Sequence, residues 1–536
     1  MSKDNSFIKS AAILGAAGII VKILGAIYRI PIGNIIKTEG LGYYQTAYPF
    51  YVLLLTVSTS GFPVAIAKLV SENRAVGDHK SAFKVFRVAL AGLFIAGILT
   101  SLFVFFNAED IVTASGNINA YYALIALVPA LFFVPIMSAF RGLFQGRNNM
   151  VPTALSQISE QFFRVASGLL LTYLLLDRGI PIAAGGASFG GSIGAFIGTV
   201  VIYIIYITKK REIKEEIEDS KIDRKYPISN IVKDLLIIAI PITIGSAIAP
   251  IMDTIDTRLV QRRLQYIGYS EAVANSMFGE LKGLAQTLIN LPQVFSIAIA
   301  MSLVPIIASA NAKKQKREVS NIIGSGIRIT LLIGLPCAFG LFVLAKPIIG
   351  LLFYKNTPET IKNTGEILQY LSFGVIFLTL VQALTAMLQG LGKPIIPVIN
   401  LFIGAIFKVV LTYTLTAMPS INIKGAAIST VVAYGVAAIL DLIMIKFIAK
   451  IEFDYMGIFI KPLISSIGMG ILVKLSYGGL TNILSENLST IISIVIGGLV
   501  YVILLVIMGT ITDEDMALLP NGNKILEKME RIRRLK

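Results

Sequence analysis

The sequence predicts an all-α integral membrane protein of about fourteen transmembrane helices: two six-helix lobes arranged as parallel repeats, plus two C-terminal helices. Three observations carry this expectation. Of 536 residues, 55% are hydrophobic and 15% charged, with a mean hydropathy of +0.78, whereas soluble domains carry about 25% charged residues. Apolar stretches of about 20 residues or more, enough to cross a hydrocarbon core of about 30 Å, recur along the chain. Landmarks in the first half also return in the second at a near-constant separation.

The spans of the first half fall at 7–36, 43–70, 82–107, 118–143, 151–177 and 182–208. Each is an apolar run of helical length bounded by polar or charged residues. The charged segment KKREIKEEIEDSKIDRKYPIS then predicts a linker over 211–228 that permits relative movement. Spans follow at 230–257, 278–311, 321–345, 361–390, 394–418 and 424–449, and the last two lie at 456–477 and 486–511. Gly61 and Pro63 in the second span and Pro241 and Pro250 in the seventh mark places where a helix can bend.

The duplication rests on matched landmarks. FQGRNNMVP (144–152) leads into a helix ending FFRV, and LQGLGKPIIP (388–397) leads into one containing IFKV. Gln145 pairs with Gln389 and Arg164 with Lys408, each 244 residues apart, while Pro63 pairs with Pro305 at 242. The offset equals six spans, an even number, so both halves keep one membrane orientation about an axis along the membrane normal. The expected lobes are 1–210 and 229–450, followed by two helices within 451–511 and a basic tail over 512–536.

The net charge of +16 is distributed as membrane orientation requires. Short segments on one side and their flanks hold about 31 of the 47 Lys and Arg, against about 10 on the other side. That predicts both termini in the cytoplasm of a cell with a multi-pass plasma-membrane protein. The basic clusters lack the aromatic interleaving of a nucleic-acid surface. Cys337 is the only cysteine, which excludes an intramolecular disulfide. His79 is the only histidine and reads as a solvated loop residue, which argues against a His-based metal site or a Ser-His-Asp triad. No metal or cofactor is implied, and the residues do not identify a coupling ion. No phosphate-cradling GxxxxGK[ST] motif occurs, and the loops are too short for an ATPase domain.

Charges inside spans are the most informative residues, because each costs about 2.5 to 3.5 kcal/mol to insert and usually faces a bundle interior or an aqueous cavity. They are Lys22 and Arg29 in span 1, Glu160 and Arg164 in span 5, Glu280 and Lys282 in span 8, and Lys408 in span 11. Gln157, Glu160, Gln161 and Arg164 fall at i, i+3, i+4 and i+7, one polar stripe. In span 8, Lys282, Gln286, Asn290 and Gln293 share a weaker face. Structural readings stand beside the functional one. Glu160 and Arg164 suit an intrahelical ion pair, Lys282 can snorkel to an interface, and Lys408 either lines a cavity or pairs across helices. Lys22 and Arg29 have no acid within one helical turn. The candidate cavity set is Lys22, Arg29, Gln157, Glu160, Arg164, Lys282, Gln286, Asn290 and Lys408. Its excess of cations implies an anionic cargo, and a diphosphate suits Arg and Lys.

The segments SAAILGAAGIIVKILGAIYRIPIGNII, GYYQTAYPFYVLLLTVSTSGFPVAIAKLVSE and KPIIGLLFY…LQGLGKPIIP resemble the polysaccharide-biosynthesis branch of the multidrug/oligosaccharidyl-lipid/polysaccharide (MOP) exporter superfamily, which also holds the MATE transporters. Within it they are most similar to the lipid II flippases of the MurJ type and their stage V sporulation protein B relatives. The resemblance covers essentially the whole chain. It implies two six-helix lobes around a central cationic cavity, and a hydrophobic groove for a lipid tail formed by the last two helices. The implied cargo is an undecaprenyl-diphosphate-linked oligosaccharide, moved by alternating access in a monomer surrounded by membrane lipids. Lys22 and Arg29 match the family's positive first-helix positions. The arginines that Gram-negative members place in the second and eighth helices are missing here: PFYVLLLTVSTSGFP carries none, and Thr287 or its neighbours stand at the eighth-helix position. Arg164, Lys282 and Lys408 are the candidate replacements.

Two other classes compete. A multidrug or cation-coupled antiporter of the same fold predicts an acidic cavity, whereas the candidates here are five cations against two acids. A membrane enzyme acting on polyprenyl-linked sugars predicts clustered acids on one membrane face, whereas the acids of the linker are interleaved with bases.

Overall fold

The computed structural model describes residues 3–510 apart from 221, 223–225 and 451–452, and the tail expected over 512–536 lies outside them. Among the described residues the secondary structure is helical throughout. The chain forms two compact units, Met1–Gly279 and Glu280–Lys536.

The first unit contains α1 (Lys3–Ile35), α2 (Lys37–Thr59), α3 (Phe62–Ala75), α4 (His79–Ala114), α5 (Tyr121–Ile125), α6 (Val128–Gly146), α7 (Val151–Leu174), α8 (Ile180–Glu218), α9 (Ile228–Tyr266) and α10 (Glu271–Phe278). The second contains α11 (Gln286–Asn290), α12 (Gln293–Ala312), α13 (Lys316–Val343), α14 (Ala345–Leu352), α15 (Pro358–Ser372), α16 (Gly374–Gly390), α17 (Ile395–Leu415), α18 (Ile423–Ala449), α19 (Lys461–Leu480) and α20 (Glu486–Ile507). The described residues hold twelve helices long and apolar enough to cross a membrane, and thirteen spans when the α15–α16 pair, bent by 41°, is taken as one. α7 is 24 residues long, but its polar stripe keeps it out of that set. It supplies the fourteenth helix of the expected architecture.

Several spans are less regular than their hydropathy suggests. The second is broken between α2 and α3 at Ser60 and Gly61, and a Cβ on Gly61 would lie 2.2 Å from the Ala239 carbonyl oxygen of α9. Gly61 N–H donates to Thr243 Oγ1 at 3.2 Å, so the break is tied down where α9 passes. The eighth, expected as one run over 278–311, starts with α10 and passes through a π-helical stretch, Gly279–Ala285, into α11. It then breaks at Pro292, which has no N–H to continue the helix ladder.

The glycines of α8 explain how α7 is held. A Cβ on Gly190 would stand 2.6 Å from the Arg164 carbonyl oxygen, and one on Gly194 would stand 2.4 Å from that of Glu160. Small residues let helix backbones approach closely where lipid supplies no hydrophobic drive for association. α1 packs on α7 through Gly25, 3.4 Å from Gln161 Nε2 at the Cβ position, and through Tyr28, whose hydroxyl donates to the Ala187 carbonyl of α8 at 2.8 Å. In the second unit the core lies among α12, α13 and α16, where Leu303, Ile323, Ile327, Leu384 and Met387 are fully buried.

The 244-residue spacing extends to backbone conformation. α7 and α17 begin at Val151 and Ile395, and the turns before them carry left-handed residues at Asn148 (φ 57°) and Gly392 (φ 76°). Both turns close on equivalent bonds, Asn149 N to Phe144 O at 2.9 Å and Lys393 N to Leu388 O at 2.8 Å.

The charged segment after the sixth span continues α8 to Glu218. Glu216 accepts from Arg74 of α3 at 3.1 Å and from Arg147 at 2.7 Å, and Lys84 of α4 donates to the Tyr226 carbonyl at 2.7 Å. Burial, then the hydrogen bond to the Asp234 carboxylate, pushes the Tyr226 hydroxyl up to about 12. His79 is not a free loop residue: it opens α4, is half-buried, and its Nδ1 is enclosed.

Candidate functional site

The polar stripe of α7 becomes part of a three-residue charge network. Glu160 Oε1 accepts from Arg164 Nη2 at 3.2 Å, the intrahelical pair that the four-residue spacing suggested. Its other oxygen accepts from Arg141 Nη2 of α6 at 3.0 Å, and Arg141 Nε donates to Ser156 Oγ at 2.9 Å. All three charged side chains are at most 16% exposed. One carboxylate therefore serves two guanidinium groups, and a positive charge is left over at membrane depth. Arg164 Nη1 reaches the Tyr48 hydroxyl at 3.4 Å, beside the stacked rings of Tyr44 and Tyr48, 5.5 Å apart. Arg141 went unrecognised in the sequence because it sits in RGLFQGR, which reads as the basic end of a span. Its contact with α7 is tertiary and leaves no periodic signal.

The other first-unit candidates surround this network to different extents. Arg29 of α1 is half-buried. Lys22, two turns earlier, is exposed, while Gln157 and Gln161 are half-buried. In the second unit, Lys282 lies in the π-helical stretch, half-buried, beside the buried Glu280. Gln286 Nε2 donates to Asn290 Oδ1 at 3.3 Å along α11, while Gln293, beyond the Pro292 break, donates to Gln382 of α16 at 3.4 Å. Lys408 is half-buried on α17, at the helix position that Arg164 holds on α7. The structure thus gathers Glu160 and Arg164 with Arg141 in the first unit, and Gln286 with Asn290 in the second. Sequence reasoning also missed Arg328, 7% exposed within α13, although the apolar run NIIGSGIRITLLIG displays it.

The second unit also carries an open apolar cavity of about 400 Å³. Leu341 and Cys337 of α13, Ile348 of α14, Met469 and Val473 of α19 and Gly498 of α20 are among its walls. The volume falls within the range of small-molecule sites, and the lining suits a hydrocarbon chain.

The end of the first unit that carries the α1–α2 junction is closed by polar contacts from α9 and α10. Asn117 Nδ2 donates to Asn275 Oδ1 at 2.6 Å, Gln261 Nε2 to Thr46 Oγ1 at 2.6 Å, and Asn275 Nδ2 to the Glu39 carbonyl at 2.9 Å. The Thr38 and Ser276 hydroxyls lie 2.7 Å apart. Arg262 donates to the Thr113 carbonyl at 2.7 Å, and a Cβ on Gly42 would meet the Asn275 carbonyl oxygen at 2.3 Å. Side chains and backbone thus latch α9 and α10 to α2 and to the end of α4.

Comparison with known proteins agrees with this architecture. The family described as "Polysaccharide biosynthesis protein" matches residues 7–311, more than half of the chain, and the family described as "MatE" matches 282–414. Stage V sporulation protein B of Bacillus subtilis is 30% identical over 431 residues, covering 80% of this chain and 81% of that protein. Lipid II flippase MurJ of the same organism is 26% identical over 455 residues, covering 83% of each. The solved structure titled "Lipid II flippase MurJ, inward closed conformation" shares the fold, with a TM-score of 0.70 at 17% identity over 92% of this chain and 98% of that one. The chain belongs to the polysaccharide biosynthesis protein family, within the MOP superfamily.

Proposed function

We propose that the protein is a transporter, not an enzyme, that flips an undecaprenyl-diphosphate-linked oligosaccharide from the inner to the outer leaflet, with lipid II as the cargo. The observation that carries this reading is the charge balance around Glu160. Two guanidinium groups share one carboxylate within a span, and a desolvated excess of positive charge calls for an anion. Arginine meets phosphate oxygens in pairs, so a diphosphate fits, and Lys22 and Arg29 on α1 add further cations along its route. The apolar cavity of the second unit suits the polyprenyl tail. The names of the relatives support the same reading, since one is a lipid II flippase at 83% coverage.

In this reading the protein lies in a bacterial plasma membrane as a monomer with both termini in the cytoplasm, as the Lys and Arg distribution suggests. The latch of α9 and α10 then closes the outer end, and alternating access requires it to open. A multidrug antiporter binding cations fits less well, because Glu160, the acid of the α7 stripe, is already held by two arginines. A teichoic acid, capsule or spore-cortex precursor carries the same diphosphate chemistry as lipid II. Depleting the protein in cells of its own species and measuring which lipid-linked precursor accumulates on the inner leaflet tests the reading. Accumulation of lipid II is expected. Accumulation of another polyprenyl-linked precursor would reassign the cargo, and no accumulation of any would overturn the flippase reading.

A further inference from the structure

Asp441 of α18 is buried at 1% exposure inside an apolar span of the second unit. Asn400 of α17, itself 6% exposed, donates from Nδ2 to Asp441 Oδ1 at 2.8 Å. Asp441 Oδ2 is enclosed and has no hydrogen-bond partner. The seam between the helices is tight: one turn along from Asn400, a Cβ on Gly404 would lie 2.4 Å from the Ala433 carbonyl oxygen. The α16 side is closed by apolar residues, with Leu380 and Ala383 in the cluster that also takes in Ala438 and Ile445 of α18.

Among the described residues Asp441 forms no ion pair. α16 carries no titratable side chain. On α17, Lys408 lies eight residues beyond Asn400, about 12 Å along the axis, and Tyr413 is farther still. Of the charged residues on α15, Glu366 is engaged by Lys424 of α18 at 2.6 Å, and Glu359 and Lys362 precede it on that helix. α13 contributes Arg328 and, at its start, Lys316, Arg317 and Glu318, while α18 itself adds Tyr434 and Lys446. Asp441 makes its hydrogen bond to Asn400 alone. An ionised carboxylate with one neutral donor and an orphaned oxygen is strongly disfavoured at this depth, whereas a neutral carboxylic acid accepts the Asn400 bond at its carbonyl oxygen and carries no charge to solvate.

We propose that Asp441, held by Asn400, is a proton-binding site of the second unit, occupied in the conformation described here. Binding takes one proton from hydronium onto Oδ2 and leaves water. Release needs water at Oδ2, and the tight α17–α18 seam admits it only when those helices part. Proton occupancy is therefore linked to how α17 and α18 pack, whatever the cargo. An Asn400–Asp441 pair that merely fastens the two helices would need no exchangeable proton.

Infrared spectroscopy of the full-length protein in lipid nanodiscs at neutral pH tests this without any transport assay. Subtracting the spectrum of Asp441→Asn from wild type is expected to reveal the loss of one protonated-carboxyl C=O band. Loss of carboxylate bands instead would overturn the proposal. Asn400→Ala keeps the carboxyl but removes the donor to its carbonyl, so it should move that band to higher frequency. An unmoved protonated-carboxyl region in Asn400→Ala would overturn the proposal even if Asp441→Asn fails to fold.

Discussion

Arg164 combines contacts that serve structure with others available for function. Its bond to Glu160 ties one turn of α7 together, while Nη1 at the Tyr48 hydroxyl faces the tyrosines of α2. Replacing Arg164 with Leu removes a charge-assisted hydrogen bond of about 1.5–3 kcal/mol. It leaves Glu160 with Arg141, so the protein should still reach the membrane at normal levels. If the leftover positive charge meets a diphosphate, Arg164→Leu should lose about 10- to 100-fold in transport, and Arg164→Lys, which keeps the charge, should lose less. Complementation of cells lacking their lipid II flippase, read beside membrane abundance, checks both variants. Two silent substitutions would leave α7 with a purely structural network. The spacing of Glu160 and Arg164 made their pairing legible in the sequence, because i,i+4 neighbours meet on any helix. Arg141 was not legible, since only the packing of α6 on α7 brings it to the same carboxylate.

Among the helices, hydropathy located the spans well and their interruptions poorly. An apolar window averages over the breaks at Ser60–Gly61 and Pro292 and over the 41° bend between α15 and α16, although Gly61 was legible as a place to bend and Pro292 breaks its helix for want of an N–H. α7 shows the converse: its stripe lowers its hydropathy, and the glycines of α8 that let it pack closely look like ordinary small residues until the helices are paired. The contacts of α9 and α10 on α2 and α4 join segments more than 140 residues apart, with no periodic signature. If they form an outer gate, locking them should stop transport. Thr38 and Ser276 offer the site, with hydroxyls 2.7 Å apart, compatible with the short reach of a disulfide. The pair Thr38→Cys and Ser276→Cys should therefore be inactive under oxidising conditions and recover on reduction, as measured by complementation or by leaflet assays in vesicles. Retained transport with the cross-link quantitatively formed would show that this end need not open.

For the molecule as a whole, the proposed cargo poses two problems of opposite character, a diphosphate that needs cations and a long tail that needs an apolar surface. The first unit holds the clearest cationic network, and the second carries the open apolar cavity along α13, α14, α19 and α20. The two last helices were legible as apolar runs of helical length, but the cavity was not. It depends on the gaps left by Gly340, Gly497 and Gly498 between helices distant in sequence. Gly498 allows a direct test, since a Cβ there meets no atom within 4 Å. Gly498→Phe would place an aromatic ring in the cavity, adding apolar contact rather than creating overlap, so melting temperature should be unchanged or raised. If the cavity receives the tail, the same substitution should reduce transport of a long-chain polyprenyl-diphosphate cargo and spare a short-chain analogue. Cys337 in the cavity wall gives a second readout: long-chain polyprenyl diphosphate should slow its modification by an apolar maleimide in wild type and have little effect in Gly498→Phe. Equal transport of long and short chains by both proteins would separate the tail from this cavity and leave the headgroup network as the sole point of recognition.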